Sequence, residues 1–197
     1  NKAYQFNLER LSKSLALAER AAQLSPTRPQ IYYESGYSQI YLGKYYQSLG
    51  QTEKAEELFS QSIANIQKAI DLNDRVLESY INMVMVLFTV DRSDQVQFYL
   101  SQMDEFGLNY HSEEKLTKMA NSAIHAEEYQ WTLKIYRELT ELVPEKPDYW
   151  IDLALSYAHL GQKEKAIEMA EKVKEFGGEY AEQSELFIKD VLAGKFD

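Results

Sequence analysis

Large apolar, small and polar residues alternate along the chain with helical spacing. The clearest example is the stretch WIDLALSYAHLGQKEKAIEMAEKV, from Trp150 to Val173. Apolar residues at i, i+3, i+4 and i+7 are typical of amphipathic helices, and Gly161 between the two runs allows the positive φ that ends a helix. The stretch therefore predicts two helices joined by a tight turn, with the small residues where the helices cross.

The same arrangement recurs at an interval of about 34 residues. One interval before Trp150 stands Leu116, and Glu127 takes the place of the turn glycine in that repeat. A further interval back, allowing two extra residues near Tyr110, the pattern begins again at Tyr80. A single helix pair cannot bury its apolar face alone, so we expect these pairs to stack.

A period of this length with a turn in its middle is the signature of the tetratricopeptide repeat, and YWIDLALSYAHLGQKEKAIEMAEKV resembles such a repeat at nearly every signature position. The resemblance implies an all-α fold, a right-handed superhelical solenoid of about four helix pairs with an extra helix at each terminus. Within a single solenoid over residues 1–197 we expect an N-terminal helix at 1–26, an elongated repeat at 29–73, repeats at 76–108, 113–146 and 147–178, and a capping helix at 179–194.

The first complete pair is predicted to be longer than the others. Gly43 stands where the turn is expected, but IYLGKYYQSLG continues with helical spacing to Gly50, seven residues later. Seven residues are close to two helical turns, so the apolar stripe continues through the insertion, and we predict two helices of roughly 20 residues each. The segment from Ile81 to Val90 is apolar nearly all round, and we expect it to lie deep in the core.

Charge and composition narrow the function. The net charge is −10, and residues 99–197 contain 20 acidic and 11 basic residues, against 11 and 10 in residues 1–98. An acidic surface repels a phosphate backbone, which argues against nucleic-acid binding. The absence of cysteine excludes disulfides and thiolate chemistry, and no apolar run reaches the roughly 18 residues of a membrane span.

Reactive groups do not converge in this pattern. The sequence has no nucleophile elbow, phosphate-binding glycine loop or H-E-x-x-H motif. His125 and His159 hold equivalent positions in neighbouring repeats, on the order of 10 Å apart or more, which is too far to share one metal ion. Adjacent glutamates such as Glu127 and Glu128 diverge around a helix. We therefore predict a protein without catalytic activity, metal or cofactor. The alternative hypothesis, an enzyme, is kept as a further possibility to be tested.

The resemblance implies a binding surface. In tetratricopeptide domains the first helices of the repeats line a concave face that commonly binds an extended peptide or a partner helix. The corresponding positions here are Tyr33, Glu34, Tyr37, Tyr41, Asn82, Met85, Lys118, Asn121 and His125. Tyr and Met are favoured at interfaces. The competing interpretation is that the tyrosines pack beneath the extended helices and that Met85 and Phe88 belong to the core.

These residues predict a non-catalytic interaction module that binds a protein or peptide. Some tetratricopeptide domains clamp a carboxylate terminus with Lys and Asn side chains. Only Asn82, Lys118 and Asn121 resemble such a set here, so a carboxylate clamp is not expected.

A second resemblance gives an alternative. LSPTRPQIYYESG followed by stacked repeats is similar to the soluble C-terminal tails of bacterial O-antigen ligase and polymerase-type membrane proteins, where helical repeats follow a multi-span membrane domain. The start at Asn1 rather than Met fits an excised piece of a longer protein. In this alternative the segment is tethered to a membrane domain without contacting the membrane, and it lies on the outer side of the bacterial cytoplasmic membrane.

Overall fold

The computed structural model describes residues 2–196, with side chains from residue 8 onwards, and this part of the chain is helical throughout. It contains one short 3-10 helix, Ser93–Gln95, and no strand. Its α-helices are α1 (Lys2–Leu24), α2 (Pro29–Ser48), α3 (Thr52–Leu72), α4 (Leu77–Thr89), α5 (Val96–Glu105), α6 (Glu113–His125), α7 (Tyr129–Leu142), α8 (Pro147–His159), α9 (Lys163–Lys174) and α10 (Gly178–Leu192). The all-α prediction is confirmed, while Asn1 and Asp197 of the predicted solenoid lie outside the described residues.

The chain forms two compact units, Asn1–Tyr110 and His111–Asp197. The first unit contains α1 to α5 and the second contains α6 to α10. Within each unit every helix packs on the helix that follows it in the chain, as expected when no hairpin can bury its apolar face alone. Across residues 2–196, none of the helices combines the length and the apolar character that crossing a membrane requires. A single solenoid over the whole chain stays a prediction.

The elongated helix pair is present in the first unit. The helices α2 and α3 have 20 and 21 residues, and the chain turns at Gly50, whose φ is +71°. Gly43 lies inside α2, as the continued helical spacing predicts. Their backbones come close at Gly36, whose carbonyl accepts a hydrogen bond of 2.9 Å from the Ser62 hydroxyl.

The core of the first unit centres on α4. Its residues from Ser79 to Phe88 are all buried, which confirms the prediction from their apolar pattern. The helix α4 packs against α2, α3 and α5, so all of its sides meet protein.

The turn between the two helices of a repeat requires a left-handed backbone conformation. Gly161 has a φ of +68°, and the residues in the same place in the two preceding repeats, Glu127 and Asp91, have φ values of +57° and +55°. The role predicted for Gly161 is confirmed. Residues other than glycine adopt this conformation at a cost, so the repeat geometry imposes it on Glu127 and Asp91.

Small residues lie at the helix crossings of the second unit. Ala120, Ala154, Ala166 and Ala170 are all at most 2% exposed, and large neighbours fill the space beside them. At the C-terminal end, the Ser184 hydroxyl of α10 donates a hydrogen bond to the carbonyl of Ala170 in α9. This contact joins α10 to α9.

Candidate partner-binding surfaces

Three tyrosines follow one side of the long helix α2. Tyr33, Tyr37 and Tyr41 are spaced four residues apart, which places them on the same helix face. The ring centroids of Tyr37 and Tyr41 are 4.7 Å apart with planes inclined by 51°. Tyr33 and Tyr37 are half-buried, and Tyr41 is 38% exposed. We call these three residues the tyrosine ridge.

The hydroxyl of Tyr41 in the ridge has a raised pKa. Burial raises the pKa of Tyr41, and the hydrogen bond and electrostatic repulsion from Tyr37 raise it further. Lys44 lies three residues after Tyr41 and seven after Tyr37, and so on the same side of α2. Burial lowers the pKa of the half-buried Lys44 ammonium. The sequence prediction missed Lys44, although its spacing from the tyrosines was a visible signal.

Glu34 flanks the ridge and is exposed. Its carboxylate accepts a hydrogen bond of 2.7 Å from the Gln30 side chain, and Gln30 accepts one of 3.0 Å from Arg28. The carboxylate is therefore held in place at the start of α2. The surface of the first unit thus combines three aromatic rings with an acidic and a basic side chain.

Two of the predicted contact residues are buried, which corrects the prediction that their side chains face a partner. Met85 is 1% exposed and Asn82 is 6% exposed. The Asn82 amide donates a hydrogen bond of 3.1 Å to the backbone carbonyl of Tyr33, so it joins α4 to α2. Phe88 is also 1% exposed. The competing interpretation, that Met85 and Phe88 belong to the core, is the correct one.

The predicted residues of the second unit lie on α6 and are polar. The Lys118 ammonium lies 2.7 Å from the Glu114 carboxylate, and this interaction lowers the pKa of Glu114. Asn121 and His125 are exposed, and His125 Nδ1 lies 2.5 Å from the Asn121 backbone oxygen. Since Lys118 already has a carboxylate partner within its own helix, it is poorly suited to clamp a second one.

A polar network that the sequence did not predict ties α6 to the start of α8. The Tyr149 hydroxyl donates a hydrogen bond of 2.7 Å to the Glu113 carboxylate, and the Lys146 ammonium lies 2.8 Å from that hydroxyl and 2.9 Å from the carboxylate. Hydrogen bonds from Tyr149 and Lys146 lower the pKa of Glu113, and those same partners raise the pKa of Lys146. The network joins residues 36 positions apart, a pairing that local spacing does not reveal.

The histidines have local partners. The ring of His159 stacks on Tyr129 with centroids 4.0 Å apart and planes inclined by 4°, and His111 Nδ1 lies 2.5 Å from the Glu138 carboxylate. Within residues 2–196 there is no group of three or more His, Cys, Asp or Glu side chains that could hold a metal ion. The positions of His159 and His111 are therefore accounted for by contacts within the second unit.

Comparison with known proteins concerns the repeat and the fold. Residues 147–176 match the family model of the tetratricopeptide repeat. The structure is similar to that of YrrB, described as a TPR protein with an unusual peptide-binding site, with a TM-score of 0.55 and 19% identity over 83% of this chain and 76% of that one. It is also similar to TTC0263, a thermophilic TPR protein of Thermus thermophilus, with a TM-score of 0.54 and 17% identity over 97% of this chain and 95% of the other.

Proposed function

We propose that this chain is a non-catalytic interaction module that binds a peptide or a partner protein. Residues 147–176 match the tetratricopeptide repeat, and the fold is similar to that of two TPR proteins. The tyrosine ridge on α2 carries the proposal. It presents three large rings on one helix face, and the helix packing leaves them partly uncovered. By contrast, α4 turns its large side chains into the core.

Tyrosine suits this role for a physical reason. Its ring supplies a large apolar contact area with few rotatable bonds, and its hydroxyl pairs with polar groups at the edge of a contact. Contact energy is concentrated in a few aromatic or Arg anchors surrounded by polar neighbours. In this chain Glu34 and Lys44 are those neighbours, and they select a partner whose charges match. YrrB, a protein of the same fold, is described as having a peptide-binding site.

The polar residues of α6 supply a second surface in this proposal. The exposed Asn121 side chain offers both a donor and an acceptor to a peptide backbone, and His125 lies one turn further along the same helix face. Lys118 is paired with Glu114 at 2.7 Å. We therefore assign this surface to hydrogen bonding rather than to the capture of a carboxylate terminus.

A selection experiment tests the proposal. The whole chain is used to select binders from a library of random displayed peptides, and the enriched peptides are then tested against a Tyr37→Ala variant and a Tyr46→Ala variant. Tyr46 is the matched control because it lies on a different side of α2, where the Lys54 ammonium lies 3.8 Å from its ring centroid. We expect enriched peptides that lose binding to Tyr37→Ala and keep it with Tyr46→Ala. Failure to enrich any peptide, or equal loss with both variants, would refute the proposal.

A further inference from the structure

The fourth residue of the first helix is aromatic in three repeats: Tyr32 in α2, Tyr80 in α4 and Trp150 in α8. The Tyr32 hydroxyl donates a hydrogen bond of 2.9 Å to the Pro26 carbonyl. The Trp150 indole N–H donates one of 2.9 Å to the Pro144 carbonyl. In both cases the acceptor lies six residues before the aromatic donor, in the loop that enters the helix.

Tyr80 departs from this rule. The residue six positions earlier is Asp74 rather than a proline, and the Tyr80 hydroxyl makes no hydrogen bond to its carbonyl. The side chain is fully buried, and its hydroxyl has no hydrogen-bond partner among the described residues. A buried hydroxyl without a hydrogen-bond partner costs stability. A ligand bound next to Tyr80 would supply that missing partner.

Tyr80 lines an open pocket of about 560 Å³ between α3, α4 and α5 of the first unit. The side chains of Asp71 and Asp74 are exposed at this pocket, and Phe98 and Tyr99 form an aromatic wall. The rings of Phe98 and Tyr99 have centroids 5.2 Å apart at 83°. We call these five residues, including Tyr80, the acid–aromatic pocket.

The hydrogen bonds around the pocket leave the Asp71 carboxylate with unused acceptor sites. The Gln67 side chain donates a hydrogen bond of 2.8 Å to Asp71 and accepts one of 3.3 Å from the Tyr99 hydroxyl. These contacts hold Asp71 and Tyr99 in position. A carboxylate has sites for about four hydrogen bonds, so Asp71 still has acceptor sites to offer to a ligand.

Two cations lie near the pocket: Arg92, whose charge acts to lower the pKa of Tyr99, and Arg75, which is engaged mainly with Phe106. Its guanidinium carbon lies 4.4 Å from the Phe106 ring centroid, and one of its N–H groups donates a hydrogen bond of 3.0 Å to the Phe106 carbonyl. Its Nε is 3.6 Å from the Asp74 carboxylate, which is beyond hydrogen-bond distance. Arg75 therefore does not hydrogen-bond Asp74, and the Asp74 carboxylate keeps acceptor sites to offer to a ligand.

We propose that the acid–aromatic pocket binds a basic side chain, lysine or arginine, from a protein partner. The carboxylates of Asp71 and Asp74 attract the cation, and the faces of Phe98 and Tyr99 stabilise it through cation–π contact. Tyr80 lines the same pocket, and in this proposal its hydroxyl accepts a hydrogen bond from the ammonium or guanidinium group. This site is separate from the tyrosine ridge and does not depend on it.

Nuclear magnetic resonance titration of the whole chain tests the proposal. The probes are acetyl-Gly-Lys-Gly-amide and acetyl-Gly-Arg-Gly-amide, and the neutral control is the same peptide with norleucine in place of lysine. We expect saturable shifts in residues 67–80 and 98–106, with the norleucine peptide at least about tenfold weaker. Shifts that never saturate, that spread over the acidic surface, or that are equal for norleucine would overturn the proposal.

Variants locate the interaction. Asp71→Asn and Asp74→Asn are each expected to weaken the basic peptides at least about threefold, while Asp94→Asn, an exposed residue outside the pocket, leaves binding unchanged. Tyr80→Phe removes only the hydroxyl, so we expect weaker peptide binding with a melting temperature equal to or above that of the wild type. Unchanged binding by Tyr80→Phe, or a lowered melting temperature, would contradict the role given to the hydroxyl.

Discussion

Gly43, in the middle of α2, faces the ring of Phe59 in α3. A Cβ atom added at Gly43 would overlap the Phe59 ring, lying 2.8 Å from Cδ1 and 3.0 Å from Cζ. About two helical turns earlier, an added Cβ at Gly36 would lie 2.9 Å from Ile66 Cδ1 and 3.2 Å from the Ser62 carbonyl oxygen. Two glycines seven residues apart lie on the same helix side, so together they let the two long helices approach.

The first prediction concerns this close approach. Gly43→Ala gains about 1 kcal/mol of helix propensity but forces a displacement of the Phe59 ring that costs about 1–3 kcal/mol. We expect a net loss of stability of about 1 kcal/mol, measured by urea unfolding. In a Phe59→Leu background, Gly43→Ala should lower the free energy of unfolding by less than it does in the wild-type background. A Gly43→Ala protein more stable than the wild type would show that the ring gives way freely.

The second prediction concerns the turn shared by the repeats. Glu127 and Gly161 stand 34 residues apart with φ values of +57° and +68°. Glu127→Gly is expected to stabilise the protein by about 0.5–1 kcal/mol, because a non-glycine residue pays about 1–2 kcal/mol in this conformation and glycine loses part of that gain to chain entropy. Gly161→Ala should destabilise by about 1 kcal/mol. Thermal unfolding measures the melting temperature of both variants. A change of the two melting temperatures in the same direction would contradict the account.

The third prediction compares equivalent hydroxyls. Tyr32→Phe removes a hydrogen bond of 2.9 Å to the Pro26 carbonyl and should cost about 0.5–1.5 kcal/mol. Tyr80→Phe removes a hydroxyl that has no partner among the described residues and should cost nothing. Chemical unfolding of the two single variants makes the comparison. Equal losses in the free energy of unfolding would contradict the prediction, because they would mean that both hydroxyls are hydrogen-bonded.

The fourth prediction is a pH dependence. Burial is the main reason that the pKa of Asp152 lies above its ordinary value, and repulsion from Asp148 adds to it. The folded state therefore binds the proton more tightly than the unfolded chain, so this group lowers stability as pH rises through the unfolded value, about 3.9, towards the folded one. Because Asp152→Asn removes this loss, the variant should gain stability relative to the wild type between pH 4 and pH 7.

Urea unfolding at several pH values across that range measures the effect. Glu182→Gln, an exposed change on α10 of the same unit, serves as the control and should follow the wild type. A constant difference between Asp152→Asn and the wild type, or a difference that shrinks as pH rises, would contradict the assignment.

The helices themselves were predictable, because apolar spacing and turn residues are local signals. The sequence predicted α2 continuing through Gly43 to Gly50, and it predicted the burial of α4. It also placed Glu127 at the turn position of its repeat, where the backbone is left-handed.

The surface was harder to predict because exposure depends on neighbours distant in sequence. Asn82 and Met85 hold positions that were predicted to line a concave binding face, but α2, α3 and α5 surround α4 and bury them. The contact between Tyr149 and Glu113 and the unpaired Tyr80 hydroxyl appear only once the helices are packed. The resemblance to O-antigen ligase tails stays a prediction, and sequencing the reading frame upstream of Asn1 for apolar spans tests it.

The most direct test of the central proposal, that the tyrosine ridge binds a peptide or protein, is the dissociation constant of a selected peptide measured by isothermal titration calorimetry. Loss of an anchor of this kind is worth about 1.4 kcal/mol or more, which is about a tenfold change in Kd. We predict that Tyr37→Ala weakens binding at least about tenfold while Tyr46→Ala stays within about twofold of the wild type. Equal affinity for the wild type and Tyr37→Ala, with both proteins folded, would contradict it.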